Sequence, residues 1–174
     1  FIELKKNSVD VQNAYTDNYT DYLDTIPHLF YYNAFLMLSN GTEAKVGTLG
    51  SKYEFFHEWK RLSEQEEGNV ALETMLRGIC KKDNFLDLLE NFILFDHSDG
   101  KTVKILARNH QYLGVNEAVK AYEARKLNNG KLGVFWHTQG SGKSYSMVLL
   151  SQKIRRKFAG SPTIVILTDR DELN

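Results

Sequence analysis

The sequence predicts an α/β fold, and two stretches carry most of that prediction. Near the C-terminal end, a short apolar run is followed by a loop rich in glycine and serine and then by a segment with helical periodicity. Near the N-terminal end, two apolar runs flank Asn40-Gly41, a pair of residues that favours a hairpin turn. Between these stretches, apolar residues recur at helical spacing. Together the patterns predict strands near both ends of the chain and helices in the middle.

The composition of the 174-residue chain is typical of a globular protein, with 42% hydrophobic and 12% aromatic residues. The 22 Lys and Arg residues balance 22 Asp and Glu residues, so contact with nucleic acid would need a local basic patch. The sequence lacks the run of about 18 apolar residues that a membrane helix needs. A single cysteine excludes an internal disulfide, and we predict Cys80 to be a small core residue on a helix in a reducing compartment, the cytoplasm.

The N-terminal part is predicted to begin with a strand, a helix and a hairpin. In chain order, the predicted ranges are 1–4 for the strand, 11–23 for the helix, and 30–38 and 43–49 for the hairpin strands. Residues two apart in a strand face the same side, so Glu3 and Lys5 should share one face. Residues four apart in a helix are neighbours, so Asn18 and Tyr22 should lie side by side.

Helices dominate the prediction for the middle of the chain, because apolar residues recur there in stripes that face a core. The predicted segments are helices over 53–62, 70–80 and around 85–92, a strand over 101–106, and a helix over 112–127 that ends at Asn128-Asn129-Gly130. The composition shifts near residues 96–108. We therefore predict a domain boundary between residues 100 and 101.

The C-terminal part is predicted to be a βαβ unit. Its segments are a buried strand over 132–136, a loop over 137–144, a helix over 145–158 and a strand over 163–167. The strands of such a unit are expected to be parallel, with a right-handed connection. The turn between the first strand and the helix leaves backbone N–H groups unpaired, and this arrangement suits an anion.

The loop has the residue types of a phosphate-binding loop. Its residues are His137-Thr138-Gln139-Gly140-Ser141-Gly142-Lys143-Ser144. They fit the pattern G-x-x-x-x-G-K-[ST] except at the first position, where histidine replaces glycine. Gly140 and Gly142 lack a Cβ, so the backbone can approach phosphate oxygens closely. Lys143 would bind the β and γ phosphates of ATP, and the Ser144 hydroxyl would be a ligand of Mg²⁺.

Several stretches, in order along the whole chain, resemble the restriction (R) subunit of type I restriction-modification enzymes. They are Phe1-Ile2-Glu3-Leu4-Lys5, residues 26–33 and 41–44, residues 91–95, Arg108-Asn109-His110-Gln111, residues 136–144, and Thr168-Asp169-Arg170 with Leu173. The resemblance implies an internal fragment of a longer protein. Residues 1–100 would be a partial PD-(D/E)xK restriction-like nuclease domain with a helical extension. Residues 101–174 would begin the first RecA-like motor domain of a superfamily 2 helicase.

The resemblance implies a nuclease site at Glu3 and Lys5. In PD-(D/E)xK nucleases the carboxylates of an Asp and a Glu bind Mg²⁺, and the Lys orients or deprotonates the attacking water. Glu3 and Lys5 match the E-x-K part, and the family's Asp is expected before residue 1. Such nucleases often carry a Gln-x-x-x-Tyr helix that helps to position DNA. Asn18 and Tyr22 occupy that place here, with Asn replacing the usual Gln.

The resemblance also implies an ATP-driven motor. Gln111, preceded by Arg108, looks like the family's upstream glutamine motif, which would read the adenine edge of ATP. Thr168-Asp169-Arg170 resembles motif Ia, which contacts the DNA backbone or supports the site. The Asp-Glu box needed for hydrolysis is expected beyond Asn174, so we do not expect this chain alone to hydrolyse ATP.

For the whole protein, the resemblance implies a type I restriction endonuclease subunit that pulls duplex DNA past itself and cuts when translocation stalls. ATP and Mg²⁺ would be its cofactors; duplex DNA and the methylation and specificity subunits would be its partners, with no membrane involved. Three alternatives remain open: a superfamily 2 translocase or helicase without nuclease activity, a small-molecule kinase with the same loop, and an interaction module with a vestigial nucleotide site. Stimulation of ATP hydrolysis by DNA would separate the two motor hypotheses from the others.

Overall fold

The computed structural model describes residues 1–97 and 100–167 and has a mixed α/β fold, as the sequence predicts. The chain divides into two compact units, Phe1–His110 and Gln111–Asn174. The boundary predicted from composition lies ten residues earlier, between 100 and 101. Within the described ranges, no helix combines the length and the apolar character that crossing a membrane requires.

A three-stranded sheet forms the base of the first unit. Its strands are β1 (Ile2–Leu4), β2 (Leu36–Ser39) and β3 (Ala44–Gly47). The central strand, β2, is parallel to β1 and antiparallel to β3. The predicted first strand is therefore confirmed, and it lies at one edge of this sheet with Glu3 opposite Leu38.

The predicted hairpin at Asn40-Gly41 is confirmed, with shorter strands than expected. Ser39 pairs with Ala44, so the connecting loop is Asn40–Glu43. Gly41 takes a left-handed backbone conformation, with φ of 95°, which glycine adopts without strain. Asn40 instead organises the loop through its side chain, since Oδ1 accepts a hydrogen bond from the Glu43 N–H at 2.8 Å.

The predicted helix over 11–23 is present in a modified form. It contains a π-helical segment, Ala14–Tyr19, which continues directly into α1 (Thr20–Thr25). Tyr19 is fully buried, and its ring packs edge-on against Phe30 with centroids 5.5 Å apart. Together with neighbouring strands, this helix encloses a core whose buried residues are Val11, Ala14, Tyr19, Phe30, Leu36, Leu38 and Phe56.

Two of the three helices predicted between residues 53 and 92 are confirmed as α2 (Leu72–Ile79) and α3 (Lys82–Asn91). The stripe predicted to face the core is only partly buried, since Leu89 of α3 is 37% exposed. The prediction for Cys80 is wrong, because this residue is exposed and follows the last residue of α2. Each step along a helix turns by about 100°. A residue directly after the buried Ile79 therefore points away from the core.

The prediction of a helix over residues 53–62 is wrong. A single turn of 3-10 helix, Tyr53–Phe55, is followed by extended chain. The peptide groups of His57 pair with those of Val46, with N–O distances of 2.9 and 2.8 Å. A residue whose backbone is bonded to a strand cannot also make the bonds of an α-helix, so the partner remote in sequence decides the local structure.

A second strand pair leads to the next helix. The two paired strands are β4 (Ile93–Asp96), which we did not predict, and β5 (Val103–Leu106). The helix that follows them is α4 (Asn109–Glu123). Asn109 is buried, and its Oδ1 accepts hydrogen bonds from the N–H groups of Lys60 and Arg61 at 3.2 and 3.0 Å. Its Nδ2 donates to the Arg61 carbonyl at 2.9 Å. This side chain fixes the point at which α4 begins.

The helix predicted after the phosphate loop is confirmed as α5 (Lys143–Lys157), but the two strands predicted around it are wrong. Residues 132–136 and 163–167 have no regular secondary structure, and Val134 and Leu167 are 89% and 90% exposed. A parallel strand needs neighbouring strands to bond its peptide groups and layers to cover its faces. The described part of the chain supplies no such neighbour to either segment, so the βαβ unit is not formed.

His57 should make the stability of the first unit sensitive to acid. Both ring nitrogens are shielded from solvent, and this burial, reinforced by the nearby charge of Arg108, lowers the pKa of His57 from its usual 6.5 to about 4. As pH falls below 6.5, the unfolded chain takes up a proton that the folded chain does not accept until about pH 4. Folding is thus destabilised in this window, by roughly 1–3 kcal/mol at its acidic end.

Urea denaturation of the chain at pH 7 and at about pH 4, followed by tryptophan fluorescence, measures this effect. In the variant His57→Gln, which lacks a titrating ring, we expect a correspondingly smaller loss of stability between the two pH values. An equal loss in both proteins would show that His57 does not carry the acid sensitivity.

Candidate functional site

Four residues predicted to belong to a nuclease site gather along one face of β1. They are Glu3, Lys5, Asn18 and Tyr22. Exposure alternates along the strand: Glu3 and Lys5 are half-buried, whereas Ile2 and Leu4 are exposed. This alternation confirms that Glu3 and Lys5 share a face, and the helix that follows β1 in the chain packs on this face through Asn18.

Lys5 is connected to that helix by hydrogen bonds. Its ammonium donates to Oδ1 of Asn18, and Nδ2 of Asn18 donates to the Tyr22 hydroxyl at 3.3 Å. The Tyr22 ring in turn meets Phe1 edge-on, with centroids 6.1 Å apart. The predicted contact between Asn18 and Tyr22 is confirmed. Spacing alone did not reveal that Asn18 also binds Lys5, thirteen residues earlier in the chain.

The arrangement around Glu3 differs from that of an ordinary surface ion pair. Lys5 donates to Asn18, and within residues 1–97 and 100–167 no side chain hydrogen-bonds to the Glu3 carboxylate. Both carboxylate oxygens therefore remain open to a ligand. The described residues contain no group of three or more His, Cys, Asp and Glu that could hold a metal ion. Glu3 thus fits Mg²⁺ as a single oxygen ligand, one of several that this ion requires.

In the second unit, the loop before α5 has the backbone geometry of an anion site. Gly140 and Gly142 adopt left-handed conformations, with φ of 77° and 82°, which glycine takes without strain. Gly142 is the N-cap of α5, so the first N–H groups of that helix have no acceptor within the helix. Open space surrounds the position that a Cβ would take on Gly140. These features fit the close approach of a phosphate group.

Lys143 and Ser144 occupy the first turn of α5, as the motif requires. The Lys143 ammonium lies over the loop, where it donates to the carbonyl oxygens of His137 at 2.8 Å and Thr138 at 3.0 Å. The side chain is exposed, so the same ammonium can reach a ligand bound above the loop. Six of the predicted ATP-binding residues thus lie in the loop and in the first turn of α5; they are Thr138, Gly140, Ser141, Gly142, Lys143 and Ser144.

Gln111, predicted to contact adenine, also contacts the loop itself. It is 4% exposed in the first turn of α4, and Nε2 donates to the carbonyl oxygen of Gly142 at 2.9 Å. A Cβ on residue 142 would lie 2.7 Å from that nitrogen, so the contact requires glycine there as well. Arg108 lies in the first unit, near the ring of His57. The predicted motif Thr168-Asp169-Arg170 lies outside the described residues.

The second unit carries a loop with the sequence and the backbone geometry of a phosphate-binding loop, followed by the helix α5. In agreement, residues 110–174 match the family model of the SWI2/SNF2 ATPase. Residues 1–55, which contain Glu3, Lys5, Asn18 and Tyr22, match the family model of the type I restriction enzyme R protein N terminus. The two matches fall on either side of the middle region.

Curated relatives align with nearly the whole chain. The type I restriction enzyme HindI endonuclease subunit of Haemophilus influenzae is 37% identical over 99% of this chain. A putative type I restriction enzyme MjaIXP endonuclease subunit of Methanocaldococcus jannaschii is 29% identical over 97% of it. The chain spans 17% and 18% of the length of these two relatives. It belongs to the family of type I restriction enzyme endonuclease (R) subunits.

Proposed function

We propose that this protein is an ATP-dependent type I restriction endonuclease subunit that translocates duplex DNA and cleaves it at a Mg²⁺-dependent PD-(D/E)xK site. The observation that carries the proposal is the presence of two chemically distinct sites on one chain. Glu3 and the bonded residues Lys5, Asn18 and Tyr22 form the first site. The phosphate loop that begins α5 forms the second. The names of the relatives support the same combination.

At the first site, the residues of this chain would bind and orient the reactants of phosphodiester hydrolysis. Glu3 would supply one carboxylate ligand to Mg²⁺, which when bound supplies Lewis acidity and charge stabilisation. Lys5 would hold the attacking water or accept its proton. Because Asn18 fixes the Lys5 ammonium and Tyr22 supports Asn18, that ammonium is positioned before DNA arrives.

At the second site, Lys143 would exchange the two loop carbonyls for phosphate oxygens when ATP binds. Bonds between ions are stronger than bonds to neutral carbonyls, so this exchange is favourable. Ser144 would hold the Mg²⁺ that accompanies ATP, while Gln111, with Arg108 before it, would contact the adenine. Thr168-Asp169-Arg170 would support the site or touch the DNA backbone. Methylation and specificity subunits would supply sequence recognition, in the cytoplasm of a bacterium or archaeon.

Stimulation of ATP hydrolysis by DNA tests the motor part of this proposal. With the intact subunit, we expect duplex DNA to raise the rate of phosphate release from ATP. A small-molecule kinase, or an interaction module with a vestigial site, would show no such response. A translocase without nuclease activity is the second candidate, and the replacement of the family's Gln by Asn18 permits it. Only a cleavage assay separates that candidate from a restriction endonuclease.

Asn18 should matter for cleavage and not for ATP hydrolysis. The variant Asn18→Leu removes both amide hydrogen bonds, so we expect DNA cleavage to slow by roughly 10- to 100-fold because Lys5 is no longer positioned. Asn18→Gln keeps an amide and should retain most activity. Asn13→Leu makes the same chemical change nearby in the same helical stretch and serves as the control. Cleavage by Asn18→Leu at the wild-type rate would remove Asn18 from the site.

A further inference from the structure

Helices α4 and α5 contact each other from their first turns to their last. In that order, the contacting pairs are Gln111 with Gly142, Asn116 with Lys153, Tyr122 with Phe158, and Glu123 with Lys157. The order of the partners is nearly the same along both helices, so the helices run in roughly the same direction. Their relative position therefore decides which residue of α4 reaches the phosphate loop.

In the middle pair, the buried group is a charged side chain. Lys153 is 6% exposed, and its ammonium donates to Oδ1 of Asn116 at 2.6 Å. A lysine is rarely buried to this extent unless a partner stabilises its charge, and a bond to a charged donor is stronger than a neutral one. The ion pair between Lys157 and Glu123, by contrast, has side chains 48% and 45% exposed. Exposed pairs of this kind hold two helices only weakly.

The hydrogen bond from Gln111 to the loop depends on the position of α4 along α5, which the bond between Lys153 and Asn116 sets. Asn116 follows Gln111 by five residues, which is about 7.5 Å along a helix. The bond from Gln111 Nε2 to the Gly142 carbonyl is 2.9 Å long. A shift of α4 along α5 by about 1 Å would stretch it beyond the range of a good hydrogen bond.

We propose that Lys153 is a positioning residue for the nucleotide site. By bonding to Asn116, it holds α4 at the position from which Gln111 binds the Gly142 carbonyl and keeps the phosphate loop ready for a nucleoside triphosphate. The inference rests on the proposed binding of ATP to this loop. Lys153 lies eleven residues beyond Gly142, roughly 16 Å along α5, so it acts through Gln111 and does not touch the phosphates. Its loss should weaken ATP binding and leave the chemical step unchanged.

Steady-state ATP hydrolysis by the intact subunit with saturating duplex DNA tests this inference. Lys153→Met keeps the length of the side chain and removes the ammonium; we expect the KM for ATP to rise roughly three- to tenfold, with kcat changed by less than about twofold. Gln111→Met should give a similar rise. Because both act through one contact, the double variant should be no worse than the more affected single variant. Lys157→Met, which loses the exposed pair with Glu123, is the matched control and should keep the wild-type KM.

An unchanged KM in Lys153→Met, or additive effects in the double variant, would overturn the inference. If Lys153→Met does not fold, Asn116→Ala removes the same hydrogen bond from the other side and must show the same rise in KM. Failure of the proposed function has a different signature, because the wild-type subunit itself would then show neither ATP binding nor hydrolysis.

Discussion

Lys143→Ala in the intact subunit is expected to abolish ATP hydrolysis, and with it translocation and ATP-dependent cleavage of DNA. Lys143 is the cation of the phosphate loop, and its ammonium lies 2.8 and 3.0 Å from two loop carbonyls. Without it, the negative charge that develops during phosphoryl transfer loses its nearest cation in the loop. Removal of one such group typically slows catalysis by about 100- to 1,000-fold. Phosphate release in the presence of duplex DNA measures the effect.

The matched control for Lys143→Ala is Lys131→Ala, which replaces another exposed lysine of the same unit. Lys131 lies outside the loop, so this control should hydrolyse ATP at the wild-type rate. Because the Lys143 side chain is exposed, the substitution should leave the melting temperature nearly unchanged. Hydrolysis at the wild-type rate by Lys143→Ala would mean that this loop is not the ATP site.

Lys5→Ala is expected to abolish DNA cleavage while sparing ATP hydrolysis. Lys5, held by Asn18 on the face shared with Glu3, is the proposed residue that orients the attacking water through its ammonium or deprotonates it as a neutral amine. Lys5 belongs to the first unit, whereas the phosphate loop and Gln111 belong to the second. Loss of a positioned acid–base group typically slows a reaction by about 100- to 10,000-fold. Cleavage and ATP hydrolysis should be measured on the same preparation.

Lys6→Ala is the matched control for Lys5→Ala. Lys6 directly follows Lys5 and is exposed. Because successive side chains of an extended chain point to opposite sides, Lys6 lies off the face that carries Glu3. It should cut DNA at the wild-type rate. Loss of ATP hydrolysis in Lys5→Ala would contradict the view that cleavage and ATP hydrolysis are separable activities of this chain.

Local sequence patterns predicted the elements whose stability is mostly local. The hairpin follows from Asn40-Gly41, and α2, α3 and α5 follow from apolar periodicity. The helix predicted over 53–62 failed because the His57 backbone pairs with Val46, a partner that periodicity cannot reveal. The two strands around α5 failed for a related reason, since a strand depends on neighbours that lie elsewhere in a chain.

In the candidate sites, too, the sequence predicted contacts within one element and did not predict contacts between elements. Spacing within one element predicted that Glu3 and Lys5 share a face and that Asn18 contacts Tyr22. It could not predict that Lys5 binds Asn18 or that Gln111 binds Gly142, because these contacts join different elements. The replacement of the family's Gln by Asn18 also has a different meaning in the structure, where the shorter amide still reaches Lys5.

Cleavage of circular duplex DNA shows whether one chain combines a DNA-driven ATPase with a nuclease. The intact subunit, assembled with its methylation and specificity subunits, should be assayed with ATP and Mg²⁺ beside the Lys5→Ala variant. We expect that wild type cuts, that Lys5→Ala does not, and that both hydrolyse ATP when DNA is added. If neither protein cuts while DNA still stimulates ATP hydrolysis, the nuclease assignment of Glu3 and Lys5 is contradicted and the protein is a translocase.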